Sequence, residues 1–421
     1  MEFTDLDLPE PVLQGIRDAG FTSCMPIQEA VLPVALKGKD VAGQSQTGTG
    51  KTAAFLIAAF TRCLRTPSSA RGPVTSPRVL IIAPTRELTV QIEADAHLLG
   101  GHTGLRILSV YGGIDYAKQR EALRAGCEVL VGTPGRLIDY FKQHVWSPRK
   151  VEVVVIDEAD RMFDMGFIAD IRFILRRLQP PERRQSFLFS ATLGFRVLEL
   201  TWELMNNPVQ VTITPKQKTV EKATQVVYHV GREQKVNLLL GLLRHEGGSR
   251  ILIFSNTRGE ARRLTERLGR NGWKAKTLTG DVDQKQRLKI LNEFKKGAIP
   301  MLVATDVASR GLHIEGVTHV INWDLPQDPE DYVHRIGRTA RMGAEGKAIS
   351  LVDEAAALSL EPIEKFIGQK IRVEWPEDDL FLPEVAAAPE EYRRRFGGRY
   401  PRAGRRGQRR DRPGGRMSQR R

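Results

Sequence analysis

Eight consecutive residues, Ser45-Gln46-Thr47-Gly48-Thr49-Gly50-Lys51-Thr52, have the makeup of a phosphate cradle. Glycines let backbone amides curl round phosphate oxygens, and a helix opening at the cradle adds its partial positive charge. In such a loop Lys51 reaches the β- and γ-phosphates and the Thr52 hydroxyl ligates magnesium. Ser45 stands where the strict pattern has glycine, a small change in side-chain volume. A second cluster, Asp157-Glu158-Ala159-Asp160, follows the apolar run Val151–Ile156 directly. A carboxylate just beyond a buried strand is where an open α/β sheet holds its ligand. There Asp157 is expected to hold magnesium, mostly through water, and Glu158 to position and deprotonate an attacking water. A Gly-Lys-Thr loop or an acidic turn is unremarkable by itself. A cradle after one strand and a carboxylate pair after another together describe hydrolysis of a nucleoside triphosphate.

The elements that must hold these groups are short β-branched strands alternating with amphipathic helical stretches. Strands are expected at Asp40–Ala42, Val79–Ala83, Glu128–Gly132, Val151–Ile156 and Gln185–Ser190, and again at Gln225–Val230, Arg250–Phe254, Met301–Ala304, Val317–Asn322 and Gly346–Leu351. Near-continuous apolar runs of this length suit strands buried on both faces of a parallel sheet. The polar, lysine-rich stretch Pro215–Thr224 reads as a hinge between two halves. The expected organisation is an N-terminal domain over 1–214, a linker over 215–224, a C-terminal domain over 225–375 and a basic tail over 376–421.

Of the net charge of +14, the last thirty residues carry +12, from thirteen arginines and the single acid Asp411. The remainder is close to neutral, so a polycationic arm hangs from a nearly neutral body, and nucleic acid is the first candidate partner. Rich in Gly, Pro and Arg, the tail is expected to be disordered in isolation. Tyr392, Phe396 and Tyr400 are interleaved to stack on exposed bases. No apolar run is long enough to cross a bilayer, so no membrane association is expected. The opening residues lack the basic-then-apolar layout of a secretory signal, and a cytoplasmic location is expected. Cys24, Cys63 and Cys127 are widely spaced without a metal-ligand pattern and read as free thiols.

Taken in order, these motifs resemble the DEAD-box branch of superfamily 2 helicases. The first half reads Gly20-Phe21 and Gln28, the phosphate cradle, Pro84-Thr85-Arg86-Glu87-Leu88, Gly112-Gly113, Thr133-Pro134-Gly135-Arg136, Asp157 to Asp160 and Ser190-Ala191-Thr192. The second reads Ile253-Phe254-Ser255-Asn256, Gln284 to Arg287, Ala304-Thr305-Asp306 to Arg310-Gly311, and His334-Arg335-Ile336-Gly337-Arg338-Thr339-Ala340-Arg341. Within the family the wording is nearest to the bacterial RhlB type, through Cys24, Pro26-Ile27-Gln28, Asp139-Tyr140 and Gly311-Leu312-His313-Ile314.

The resemblance implies two tandem RecA-like domains, each a parallel sheet flanked by helices, and an RNA-stimulated ATPase using ATP and Mg2+. It implies that Phe21 stacks on adenine while the Gln28 amide reads its edge, and that Arg338 and Arg341 reach the γ-phosphate from the second domain. Hydrolysis then requires the two domains to close. Asp160, Ser190 and Thr192 would couple that closure to RNA. RNA itself would be held through its backbone by Pro84, Thr85, Arg86, Gly113, Thr133 and Arg136 in the first domain and by Arg287 and Thr305 in the second. Such contacts to phosphate and 2′-OH carry little sequence information. Substrates would be single strands and short duplexes, unwound locally, and the RhlB-type resemblance implies recruitment to an RNA-decay assembly. An ATP-gated RNA clamp uses the same motifs and is separated by strand displacement; a DNA translocase is disfavoured by an RNA-directed motif set. Three positions depart from the usual pattern: His313 stands for Asp, Met25 for Thr and Cys24 for Pro. His313 supplies no carboxylate to the nucleotide site.

Overall fold

The computed structural model describes residues 1–45, 48–66, 75–213, 223–309, 316–340 and 346–385. The apolar runs become strands paired only in parallel, in two sheets of seven. The first contains β1 (Val41–Gln44), β2 (Val79–Ile82), β3 (Ile107–Val110), β4 (Val129–Gly132), β5 (Val153–Ile156), β6 (Gln185–Ser190) and β7 (Val209–Thr212), ordered β3-β4-β2-β5-β6-β1-β7. The second contains β8 (Ala223–His229), β9 (Ile251–Phe254), β10 (Ala275–Leu278), β11 (Met301–Ala304), β12 (His319–Asn322), β13 (Gly346–Val352) and β14 (Arg372–Glu374), ordered β10-β11-β9-β12-β13-β8-β14. Helices cover both faces of each sheet, the arrangement of tandem RecA-like domains.

The central strands are buried on both faces because their side chains alternate between two cores. Val79, Ile81, Val129, Val131, Val153 and Val155 pack under the helices Lys51–Arg65 and Arg86–Gly100. Leu80, Ile82, Leu130, Val154 and Ile156 point the other way, toward Tyr140, Met162 and Ile171. Full burial of each such side chain stabilises by about 1.5–3 kcal/mol. The second sheet repeats the scheme, with Ile251, Ile253, Met301 and Val303 on one face and Leu252, Phe254, Leu302 and Ala304 on the other.

Two expected boundaries shift. β8 begins at Ala223, inside the stretch assigned to the linker, because Ala223 and Thr224 continue the ladder against Gly346 and Lys347. The first ten residues assigned to the tail are packed chain. Leu380, Phe381 and Leu382 lie against the core of the second domain, Asn237 Nδ2 donates to the Leu382 carbonyl at 2.8 Å, and Arg267 ion-pairs with Glu384. Gly241 makes the approach possible: a Cβ there would stand 1.8 Å from the Leu380 carbonyl oxygen. The arginine-rich stretch from 392 onward lies outside the described residues.

Cys63 and Cys127 are buried and Cys24 partly so, all as free thiols; burial pushes the first two up to about 11 and about 12, which leaves them unreactive. Among the described residues no helix is long and apolar enough to cross a membrane.

Candidate functional site

Every chemistry-bearing loop of the first sheet leaves the carboxyl end of a strand, and strand order sorts the loops into two groups. β5, β6 and β1 are neighbours, so Asp157 after β5, Ser190 at the end of β6 and Ser45 after β1 come together. β3, β4 and β2 are neighbours on the other side, which collects Gly112-Gly113, Thr133 and Pro84 to Arg86. The residues expected to meet nucleotide and those expected to meet RNA therefore share one sheet edge, split at the β2–β5 ladder.

In the nucleotide group, Gly50 holds φ +89° and caps the helix Lys51–Arg65. Lys51 is buried, and its ammonium donates to the Ser45 carbonyl at 3.0 Å. The Ser45 and Thr49 hydroxyls share a hydrogen bond of 2.8 Å; Thr52 is half-buried at the helix start. Gln28 is buried and uses its amide within the protein. Oε1 accepts from the Met25 amide at 2.8 Å, and Nε2 donates to the Gly50 carbonyl at 3.1 Å, tying the loop before Gln28 to the cradle. Phe21 is 40% exposed and stacked on the buried Phe3, ring centroids 6.4 Å apart. Gln46 and Thr47 lie outside the described residues.

Asp157 is 2% exposed, and Oδ1 accepts the Glu158 amide at 2.9 Å. Burial pushes its carboxyl up to about 6; Lys51 pulls it down and Glu158 pushes it further up. Among the described residues no group of three or more His, Cys, Asp or Glu could hold a metal unaided. One buried carboxylate after β5 and one hydroxyl at the helix start after β1 instead fit Mg2+, a hard ion that takes most of its oxygens from phosphates and water. Glu158 adopts φ 53° and ψ 53°, the left-handed region, at the cap of the short helix Ala159–Asp164. Its carboxylate is buried and accepts from Arg161 Nη1 at 2.8 Å. Asp160 closes onto β6: Ser190 Oγ accepts the Asp160 amide at 3.2 Å, and Asp160 Oδ2 accepts the amides of Ala191 at 3.0 Å and Thr192 at 3.3 Å.

In the other group, Thr85 caps the helix Arg86–Gly100 through its hydroxyl, and Pro84 is buried. Thr133 stands at the cap of Pro134–Lys142 without a side-chain cap bond. Arg136 lies 4.7 Å from the Tyr116 ring and 5.2 Å from the Tyr140 ring, and donates to the Tyr140 hydroxyl at 3.0 Å. Gly113 holds φ +84°, and a Cβ there would sit 2.2 Å from Arg86 Nη1 and 3.1 Å from Gln284 Cβ.

That last contact crosses between the domains. Arg86 Nη1 lies 3.5 Å from Gln284 Oε1, Gln284 Nε2 donates to Glu87 Oε1 at 3.2 Å, and the buried Arg287 ion-pairs with Glu87. Arg287 also donates to the Ala308 carbonyl. Its guanidinium thus joins the two domains in this structure, and Thr305, directly after β11, is buried. On the nucleotide side, loss of water pushes the His334 imidazole pKa down and Arg338 adds to the effect, while Asp160 and Asp331 oppose it. A second-domain ring therefore feels first-domain charges. Arg338 is buried; Arg341 and His313 lie outside the described residues.

One residue quoted in the motif run but given no role holds the second domain's site together. Arg335 is 1% exposed and has an acceptor for every guanidinium N–H. It grips Asp306 with two bonds, Nε to Oδ1 at 2.7 Å and Nη2 to Oδ2 at 2.6 Å. It also donates to Asn256 Oδ1 at 2.8 Å, Asn322 Oδ1 at 3.2 Å and the Asp324 carbonyl at 2.5 Å. Phe254 lies under it, ring centroid 5.1 Å from Cζ. The signal was its place between Tyr332 and Ile336 on the apolar face of the helix Pro329–Ile336. Glu87 and Gln284 were likewise unassigned, because each acts through a contact across the domains, and Arg161 because a charged residue after the acidic motif reads as a solvated side chain until its burial against Glu158 is seen.

Comparison with known proteins agrees with this geometry. A DEAD/DEAH box helicase model matches residues 25–201, and a helicase conserved C-terminal domain model matches residues 234–343. The chain is 53% identical over 392 residues to the ATP-dependent RNA helicase RhlB of Xanthomonas oryzae pv. oryzae, covering 92% of this chain and 68% of that one. It is 49% identical to the protein of the same name from Sodalis glossinidius, covering 94% and 95%. S. cerevisiae Dbp5 bound to RNA and ADP BeF3 superposes with a TM-score of 0.77 at 30% identity, covering 89% of this chain and 95% of that one. The chain belongs to the DEAD/DEAH box helicase family and is an RNA-stimulated ATPase, an ATP-dependent RNA helicase of the DEAD-box type.

Proposed function

We propose that the chain grips RNA through its sugar-phosphate backbone when ATP closes the two domains, separates short duplexes locally, and lets go after hydrolysis. The observation that supports this best is the sorting of one sheet edge into two groups, with Lys51, Asp157 and Glu158 on one side of the β2–β5 ladder and Arg86 and Gly113 on the other. Phe21 stacks on adenine, and Gln28 exchanges a protein partner for the adenine edge. Lys51 and the amides of Gln46 to Gly50 hold the phosphates. Thr52 and Asp157 would hold Mg2+, which would supply positive charge to offset that of the phosphates.

In the chemical step Glu158 takes a proton from water as the water oxygen bonds to the γ-phosphorus. The bond from that phosphorus to the β–γ bridging oxygen breaks, and ADP leaves with the electron pair. Arg338 and Arg341 stabilise the charge that builds on the γ-phosphoryl group, a contribution available only with the domains closed. Asp160, Ser190 and Thr192 link that closure to RNA held by Pro84, Thr85, Arg86, Gly113, Thr133 and Arg136, with Thr305 and Arg287 on the second domain. The domain limits expected at 1–214 and 225–375 become 1–214 and 223–385 when the second domain is taken from the start of β8 to the end of the strap. Backbone recognition gives weak sequence selectivity, which suits general RNA processing or decay in a bacterial cytoplasm.

The test is RNA-stimulated ATP turnover and duplex separation by the full chain carrying Glu158→Gln. Removing general-base help lowers turnover by roughly 10²–10⁴-fold while ATP and RNA still bind. Near-normal turnover in this variant would show that another carboxylate activates the water.

A further inference from the structure

Three carboxylates, Asp157, Glu158 and Asp160, crowd into four residues, and the arginine that follows them is buried with them. Arg161 Nη1 donates to Glu158 Oε2 at 2.8 Å, with the two side chains 10% and 8% exposed. An exposed i,i+3 ion pair is a minor helix stabiliser that any solvated side chain could replace. This pair is different in two respects. It lies in the interior, where a guanidinium carries a large desolvation cost and a lone partner is a poor return. It is also incompletely satisfied: Arg161 Nη2 is buried without a hydrogen-bond partner among the described residues. A pair kept only for stability would not leave a donor unspent, since an unmatched buried N–H is itself destabilising.

The backbone adds a geometric reason for the contact. Glu158 sits in the left-handed region, a conformation that a non-glycine residue holds only when its surroundings impose it. Its neighbours are pinned on both sides: the Glu158 amide donates to Asp157, the Arg161 amide donates to Asp160 Oδ1 at 3.0 Å, and Asp160 is fastened to β6. Backbone and arginine together fix where the Glu158 carboxylate stands.

We propose that Arg161 is a positioning residue for the hydrolytic step, holding the Glu158 carboxylate through Oε2 in the orientation from which it takes the proton. The proposal rests on Glu158 being the general base. Arg161 does not touch the reacting atoms; it acts through Glu158, and a base displaced by about 1 Å loses on the order of 10²-fold in rate.

A double-mutant cycle on the full chain tests it, reading kcat and KM for ATP, RNA affinity and the unfolding midpoint. Arg161→Gln is expected to lower kcat by roughly 10–100-fold with KM and RNA affinity within about twofold of the parent, and Arg161→Lys to recover part of that loss. In a Glu158→Gln background, Arg161→Gln is expected to change the residual rate by less than about twofold, because the residue it positions is gone. Unchanged kcat in Arg161→Gln overturns the proposal. So does a loss in the double variant that multiplies the two single losses, which would make Arg161 independent of Glu158. If Arg161→Gln fails to fold, the same cycle run with Arg161→Lys decides. Parental turnover in Glu158→Gln alone would refute the base assignment instead, a result distinguishable from either failure of Arg161.

Discussion

Replacing Arg335 with lysine keeps the charge and removes the fork. The guanidinium makes five hydrogen bonds in a site 1% exposed, two to Asp306 and one each to Asn256, Asn322 and the Asp324 carbonyl. An ammonium offers three donors from one nitrogen and cannot span these acceptors, so at least two go unmatched. Asn322 is fully buried and Asp306 mostly so. Each unmatched buried acceptor costs about 1–3 kcal/mol, or about 2–6 kcal/mol for two. Set against a domain stability of about 5–15 kcal/mol, that is a large fraction. At about 2–4 °C per kcal/mol for a domain of this size, the unfolding midpoint of the second domain should fall by roughly 4–24 °C. Intrinsic fluorescence reports it, because Trp273, Trp323 and Trp375 belong to that domain and Trp323 is buried beside the network. A midpoint within about 2 °C of the parent would refute the reasoning, since it would mean that water or repacking satisfies the acceptors at no cost. Asp306 adjoins Thr305 and Arg335 lies in the helix leading to Arg338, so RNA stimulation of turnover should fall with the midpoint.

Arg338→Ala and Arg341→Ala should each reduce RNA-stimulated turnover by about 10³-fold or more while ATP still binds; equal turnover by the isolated 1–214 fragment and the full chain would end the two-domain account. Gly113→Ala places a Cβ on Arg86 and a non-glycine residue at φ +84°, and RNA affinity in a filter-binding assay should drop by about tenfold or more. The Arg267 hydrogen bond holds the Glu384 carboxyl below its ordinary value against the opposing effect of burial. The stability this group adds is therefore present above the unfolded carboxylate pKa and lost as pH falls through the lower folded value. Hydrogen-exchange protection over Asp378–Val385, taken relative to the intrinsic rate at each pH, should fall below about pH 4, and Glu384→Gln should show the same loss of protection at pH 7. Deleting 392–421, with its thirteen arginines, should leave ATP hydrolysis intact and weaken RNA binding, flattening the log–log salt dependence by about 0.7 per lost phosphate contact. Unchanged affinity and slope would assign the tail to protein docking.

The strands legible in the sequence are the ones inside the sheets. β2, β4, β5, β9 and β11 are near-continuous apolar runs because both of their faces are covered, and β6 carries the apolar centre Phe187-Leu188-Phe189 between buried polar ends. The four that went unread, β3, β7, β10 and β14, are the edges of the two sheets. Edge strands bury one side at most, so sequences such as Val209-Gln210-Val211-Thr212 and Ala275-Lys276-Thr277-Leu278 carry no continuous apolar signal. The strap over 376–385 was missed for a related reason: Leu380 to Leu382 is a short apolar island among acids, and Gly241, the residue that admits it, is remote in sequence. The nucleotide loops were readable because each chemistry sits within a few residues of a strand end. Arg335 and the Glu87–Arg287 pair were not, because their roles depend on what lies opposite them after folding, and Arg161 was not, because only the fold buries its pair with Glu158.

Where the two groups of loops divide, the separation between chemistries is a single step of the β ladder. The Asp157 amide donates to the Ile82 carbonyl at 3.0 Å, so the chain about to enter Pro84 to Arg86 is bonded directly to the residue proposed to hold the metal. Neighbouring strands stand about 4.8 Å apart. A close-packed interior with low compressibility carries a displacement over that distance almost undiminished. No relay of side chains is then needed for a strand of RNA to be felt at the phosphate end of the site. The coupling this predicts is a shear between two rods that share a row of hydrogen bonds, its size set by how stiffly β2 and β5 are clamped from either side. Cavities opened beneath Val79, Ile81, Val153 or Val155 would muffle it, leaving each ligand able to bind and neither able to hear the other.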